Sequence, residues 1–214
     1  MMQMKRRFFL VALLFALGAL CAAPGRGQDT WKEEANRLAT LLDWHPGSVV
    51  AEIGAGDGEL TLLAAGRVGP AGKIYSTELN ATRLAHLEEL AAKEKNIRAI
   101  KAGEADTNLP TACCDSIFMR LVYHHLTKPG EMGASLFRSL RPGGRLAVID
   151  EDPAEGTSVP EGVPSNRGGH GIPQKILVSE LTDAGFELKA IQKEWPGRDK
   201  YHLLYCVVFR KAKP

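Results

Sequence analysis

Apolar residues recur at helical spacing from Trp31 through Ala35, Leu38, Leu41 and Leu42, predicting a helix over residues 30–43 that His45-Pro46-Gly47 stops. A short β-branched run predicts a strand over residues 48–53, followed by glycines and a short helix over 59–65. The alternation continues with a strand over 73–77, a helix with an Ala/Leu face over 81–93, a third strand over 97–101 and a fourth over 115–120. A helix over 132–140 and the turn signal Arg141-Pro142-Gly143-Gly144 precede a fifth strand over 145–150. Strands separated by helical patterns build right-handed βαβ units, so the pattern predicts an α/β fold with a mainly parallel sheet. The end differs. Residues 186–195 and 201–210 read as two strands joined by Pro196-Gly197-Arg198-Asp199, a connection so short that the pair must be antiparallel.

Composition narrows the class. A chain of 214 residues with 44% hydrophobic and 24% charged residues suits one globular domain and leaves two cramped. The apolar content excludes disorder as the dominant state, and a single apolar run excludes a polytopic membrane protein. That run, from Phe8 to Ala23, follows Lys5-Arg6-Arg7 and ends in small residues before Pro24-Gly25-Arg26-Gly27. A positive segment, a short apolar core and a small-residue end read as an export signal, and the run falls short of the about 20 residues a spanning helix needs. The expected division is therefore 1–27 as signal peptide and linker and 28–214 as the working domain. Arg6-Arg7-Phe8-Phe9-Leu10 also resembles a twin-arginine signal, whose receptor passes folded proteins. The expected destination is outside the cytoplasm, in the periplasm, or the cytoplasm if the N-terminus is misassigned. No stable membrane association beyond the signal segment is expected.

The formal charge is +2, and removing Lys5, Arg6 and Arg7 takes it to about −1. No phosphate-tracking surface follows from that balance, so a nucleic-acid partner is not expected and a small-molecule substrate is. Of the four cysteines, Cys21 lies in the signal, and Cys113, Cys114 and Cys206 read as unbridged packing thiols because adjacent cysteines strain the peptide between them.

The chemistry concentrates after the first strand. Glu52-Ile53-Gly54-Ala55-Gly56-Asp57-Gly58 is strand, tight turn and helix start, where glycines let the backbone approach a ligand. Glu78, ending the second strand, is placed to accept both hydroxyl donors of a ribose. The pair identifies a nucleoside, and a nicotinamide-dependent oxidoreductase or a non-catalytic nucleoside-binding protein is the competing reading. Three details separate them: the loop is GxGxG where dinucleotide sites have GxGxxG, the acid Glu52 precedes it, and the C-terminal strands are antiparallel. A carboxylate beside the loop favours a cationic amino-acid group over a pyrophosphate.

On these residues, with Leu140-Arg141-Pro142-Gly143-Gly144-Arg145-Leu146 and the Ala184-Gly185-Phe186 corner, the chain resembles the class I S-adenosylmethionine-dependent methyltransferases of small-molecule type from about Asp43 onward. The resemblance implies a Rossmann-like sheet of order 3-2-1-4-5-7-6 with the seventh strand antiparallel and helices on both faces. It implies S-adenosylmethionine as cofactor, with Gly54 and Gly56 against its methionine part and Glu52 near the amino group. Glu78 would hold the ribose, and Leu79 would border the adenine. Glu104 and Asp106 compete for the adenine amine, with Asp106 preferred, and Arg120 and Leu121 would border the methionine and methyl. The Asn/Asp-Pro-Pro-aromatic motif of amino-directed nucleic-acid methyltransferases is missing; Met119-Arg120-Leu121-Val122-Tyr123-His124-His125 stands in its place.

His124 and His125 are the candidate catalytic residues, since an imidazole titrates near physiological pH and could accept a substrate proton. The alternative gives one of them to helix capping and the other to packing. His170, between Gly169 and Gly171 in the Pro/Gly/Ser-rich segment 151–172, could close over the same cavity, and that segment reads as a mobile cover. Asp150, Glu151 and Asp152 could join the histidines around a metal, but no ligand spacing specifies one, and no metal is expected. Trp31, Trp44 and Trp195 read as core or rim packing.

Overall fold

The computed structural model describes residues 26–198 and 203–213, so the expected export signal lies outside the described residues. Five helices are described, α1 (Arg26–Leu42), α2 (Glu59–Val68), α3 (Ala81–Lys93), α4 (Pro129–Ser139) and α5 (Gln174–Asp183). The strands are β1 (Val49–Ile53), β2 (Lys73–Glu78), β3 (Ile97–Lys101), β4 (Cys114–Arg120), β5 (Leu140–Glu151), β6 (Glu187–Arg198) and β7 (Leu203–Arg210). They form one sheet of order β3-β2-β1-β4-β5-β7-β6. The first five pair in parallel, and β7 runs antiparallel to both β5 and β6. The expected sheet order and the antiparallel end are thereby met.

Successive residues of the central strands feed opposite cores, as the two-residue period of a strand requires. Ala51, Ile53, Ile117, Met119, Leu146 and Val148 pack with Leu136 of α4 and Leu177 and Leu181 of α5. Val50, Phe118, Ala147 and Ile149 point the other way, onto Ala35 and Leu38 of α1 and Leu60 and Ala64 of α2. A sheet buried on both faces explains the near-continuous apolar runs of β4 and β5. Trp44 tilts against the Phe118 ring at 5.5 Å, and Trp195 is buried.

Four local features differ from the sequence reading. Residues 141–144 are no turn between elements but a bulge inside β5: Cys114 pairs with Leu140, whereas Ser116 pairs with Arg145. Lys211 holds the bulge by bonding Gly144 O and Gly143 N through its own backbone at 2.9 and 2.8 Å, so the glycines deform the strand without ending it. Cys113 and Cys114 are joined to each other as a disulfide at the entry to β4, whereas Cys206 is a buried free thiol. Helix α5 escaped the sequence reading because it buries only Leu177 and Leu181. The segment 152–171 is pinned: Arg167 is fully buried and pairs with Glu180 at 2.7 Å, Ile172 N donates to Glu151 O at 2.9 Å, and Tyr205 Oη donates to Ile172 O at 2.6 Å. No helix of the described residues is long and apolar enough to cross a membrane.

Candidate active site

The C-terminal ends of β1, β2 and β4 open onto a cleft of about 630 Å³, within the range of small-molecule sites. Ligands of open α/β sheets bind at this end, where β1 lies between β2 and β4 and chain order reverses. Glu52, Gly54, Gly56, Glu78, Leu79, Arg120, Leu121 and His125 line the cleft.

The glycine loop turns in the left-handed region, with φ of +68° at Gly54 and +58° at Gly56. A Cβ on Gly54 would lie 2.5 Å from a Val122 methyl, so the loop and the segment after β4 close on each other with no room for a side chain. A Cβ on Gly56 would meet nothing within 4 Å, so there the left-handed backbone, and not crowding, is what favours glycine. Glu78 is held by three amides: Oε1 accepts from Leu79 N and Asn80 N at 2.8 and 2.9 Å, and Oε2 from Gly56 N at 3.0 Å. A carboxylate has about four acceptor positions, so one is left for a ligand hydroxyl beside these bonds. Leu79 is 53% exposed on the rim, an apolar surface for a ring edge.

Glu52 sits deeper. Burial pushes its carboxyl up to about 8, against the opposing hydrogen bond from Thr61 Oγ1 at 2.5 Å. At neutral pH the group is therefore protonated, and a cationic ammonium alongside would favour its ionised form. Thr61 Oγ1 also lies 2.7 Å from Ser76 Oγ, which ties β1, α2 and β2 together beneath the loop.

Asp106 does not reach the cleft. The Asn108 amide, foremost, holds its carboxyl below the usual range, with further bonds from Arg138 and Ser135. Glu104, the competing acid, lines the cavity with Ala102 and Gly103. Arg120 lines the wall, but its Nε donates to Glu34 Oε2 at 2.8 Å and its guanidinium lies 4.5 Å from the Trp31 ring. Leu121 takes φ of +53° with its N–H bonded to Ile149 O at 2.8 Å. A left-handed leucine is strained, and such strain gathers at functional sites.

The two candidate catalytic histidines separate. Both lie on a 3₁₀ turn, Tyr123–His125, after β4. His124 is buried behind the cleft with Nδ1 2.6 Å from Asp150 Oδ1, whereas His125 reaches the cleft. Partial desolvation of a ring that still reaches solvent, then the neighbouring His124 and His170, push the His125 imidazole down to about 4. The ring of His170 lies 4.6 Å from that of His124 and 5.2 Å from that of His125.

Sequence reasoning missed Arg83, Thr127 and Met132 on the wall, and it assigned Trp31 to packing. Trp31 shares the apolar stripe of α1 with core residues, so no periodicity could have distinguished it.

A left-handed glycine loop, closed against Val122 at Gly54, with a tethered ribose-type acceptor and a buried acid, fits a nucleoside bearing a cationic amino-acid group. Residues 51–148 match a methyltransferase domain family. The demethylmenaquinone methyltransferase of Symbiobacterium thermophilum is 24% identical over 123 residues, 56% of this chain and 49% of that protein. The tRNA (adenine(58)-N(1))-methyltransferase of Thermus thermophilus is 41% identical over 70 residues, 33% of this chain and 25% of that protein. The chain thus spans about half the length, or less, of these curated relatives. A SAM-dependent methyltransferase from Aquifex aeolicus superposes with a TM-score of 0.68 at 23% identity, covering 88% of this chain and 93% of that one. The fold is that of the Rossmann-like class I methyltransferases. The domain match covers residues 51–148, just under half of the chain, and the solved structure shares the fold.

Proposed function

We propose that the chain transfers a methyl group from S-adenosylmethionine to a small-molecule acceptor. The observation that carries this reading is Glu78, fixed by the Gly56, Leu79 and Asn80 amides at the edge of the cleft. When bound, the cofactor supplies a methyl group made electrophilic by its sulfonium. The chain's own residues do the rest: Glu78 takes a ribose hydroxyl, Glu52 faces the ammonium, and the glycine loop leaves space for the amino-acid part. Leu121, Val122 and Met132 give the opposite wall an apolar surface that excludes water from the transfer zone. Methyl transfer needs alignment above all, and the weakly basic His125 suits an acceptor that arrives nucleophilic or is deprotonated elsewhere.

A small acceptor is favoured by the near-neutral charge balance and by the curated relative named for demethylmenaquinone. Calorimetric titration with S-adenosylmethionine, its demethylated product and NAD tests the reading. Micromolar binding of the first two, lost in Glu78→Ala, supports it; binding of NAD alone would replace it with the oxidoreductase reading, and binding of none with a fold lacking this ligand.

We also propose export, resting on Lys5-Arg6-Arg7 and the apolar run behind them. Fractionation of a C-terminally tagged chain checks it. Cytoplasmic retention of the full-length chain would sink export, and export unchanged in the Arg6→Lys/Arg7→Lys variant would sink the twin-arginine route.

A further inference from the structure

Three histidines from two distant segments meet beside the cleft. One nitrogen from each of His124, His125 and His170 lies within 4.8 Å of the other two. We propose that they form a binding site for one divalent transition metal of the zinc class, whose remaining coordination position opens toward the cleft. The inference rests on the histidines alone and stands independently of the methyl-transfer reading.

Four observations carry it. His124 is 1% exposed, and its Nε2 is buried with no hydrogen-bond partner among the described residues. A buried imidazole nitrogen without a partner is desolvated without compensation, and a metal would supply the missing partner. Its other nitrogen, Nδ1, meets the Asp150 carboxylate at 2.6 Å, and Asp150 is itself fixed by the backbone N–H groups of Glu151 and His124 at 2.9 and 3.2 Å. A carboxylate behind an imidazole sets the tautomer that presents the far nitrogen to a metal and raises its basicity.

The Nδ1 of His170 lies 3.6 Å from Glu151 Oε1, longer than a hydrogen bond, so a carboxylate stands near this ring without fixing it. The backbone of His170 is locked on both sides: its N–H donates to Thr157 Oγ1 at 2.8 Å, and its C=O accepts from Ala154 N at 3.0 Å. The glycines beside it make that course possible. A Cβ on Gly171 would lie 2.8 Å from Asp152 O, and one on Gly169 would lie 2.7 Å from Thr157 Oγ1. The segment therefore carries His170 to the pair by a fixed route.

Three imidazoles, with a buried carboxylate hydrogen-bonded behind one of them, suit zinc-class ions, which three histidines hold with one position free. In a tetrahedral site two nitrogens about 2.1 Å from the ion lie about 3.4 Å apart, so a pair at the 4.8 Å limit must close by about 1.4 Å. The exposed His125 and the part-exposed His170 can supply that movement while buried His124 stays fixed. His125 touches the cleft, so a donor atom of an acceptor is the natural occupant of the free position.

The test uses the full chain without a histidine tag, stripped by chelator, dialysed and titrated calorimetrically with Zn²⁺ and, separately, Co²⁺. Metal analysis gives the stoichiometry, and the visible Co²⁺ spectrum reports four-coordination. One equivalent is expected, with affinity at least 100-fold lower in His170→Ala and roughly 10- to 100-fold lower in Asp150→Asn, and unchanged in His86→Ala on α3. Because His124 is buried and its removal can unsettle the fold, His170, at the surface, decides the matter. Absence of a stoichiometric metal, or binding equal in His170→Ala and the parent, overturns the proposal. S-adenosylmethionine titrated into stripped and loaded protein gives a separate readout of the cofactor site, so either proposal can fail alone.

Discussion

Gly56 donates its backbone N–H to Glu78 Oε2 at 3.0 Å, joining the loop after β1 to the end of β2 across 22 positions of sequence. The bond fixes the separation between the two parts of the cleft that a nucleoside must bridge. Glu78→Ala removes three amide bonds and the acceptor together. S-adenosylmethionine binding should weaken by about 1.5–3 kcal/mol, roughly 10- to 100-fold. Glu78→Gln retains one oxygen acceptor and should lose less. Calorimetry on both variants checks the order, and equal losses would show that the charge matters and the geometry does not.

Gly54→Ala should be destabilising for two separable reasons. The left-handed φ of +68° costs a non-glycine residue about 1–2 kcal/mol, and the added methyl meets Val122 at 2.5 Å. Adding Val122→Ala relieves the clash and leaves the φ strain. The double variant should therefore recover part of the stability in chemical denaturation, and no recovery would place the whole cost in the backbone.

The alternation of strands and helices was legible because each central strand buries both faces, so its apolar run is continuous and bounded by turn residues. The position of Glu78, Gly54 and Gly56 on the cleft was legible for a related reason: each ends or closely follows one of those strands. Asp106 against Glu104 was not. Their difference is made by Arg138 and Ser135 of α4, about 30 residues away, which turn Asp106 off the cleft. His170 beside His124 likewise depends on the course of the segment after β5, which no periodicity encodes. The Cys113–Cys114 pairing ran against the expected strain, and the bulge of residues 141–144 shows that a strong turn dipeptide can be absorbed where a neighbouring strand supplies the hydrogen bonds.

Glu52 predicts a pH dependence of stability. The folded carboxyl holds its proton up to about 8, whereas its ordinary value is 4.5. Between those values the folded state carries the extra proton, so raising the pH favours the unfolded chain. The contribution of Glu52 should be full below pH 4.5 and fall by at most about 1.4 kcal/mol per unit toward pH 8, then level off. Denaturant titrations at pH 5, 6, 7 and 8 on the parent and on Glu52→Gln isolate this group. Parallel curves for the two proteins would mean that the carboxyl ionises in the fold as it does in water.

Arg167 and Glu180 predict what holds the segment over the histidines. Arg167 is fully buried, contacts Glu180 Oε1 at 2.7 Å and lies 6.0 Å from the Tyr123 ring. Glu180→Gln strands a buried guanidinium, a loss of about 3–5 kcal/mol for a broken buried pair, whereas replacing both partners by apolar groups of similar size can be close to neutral. The segment lies on a loop whose local opening exposes its backbone, so the destabilisation should be read there first. Limited proteolysis should cut residues 154–170 faster in Glu180→Gln than in the parent, and Arg167→Met/Glu180→Leu should return the rate toward the parent's. Acceleration equal in the double variant would assign the anchoring to charge, because packing is restored there and the ion pair is not.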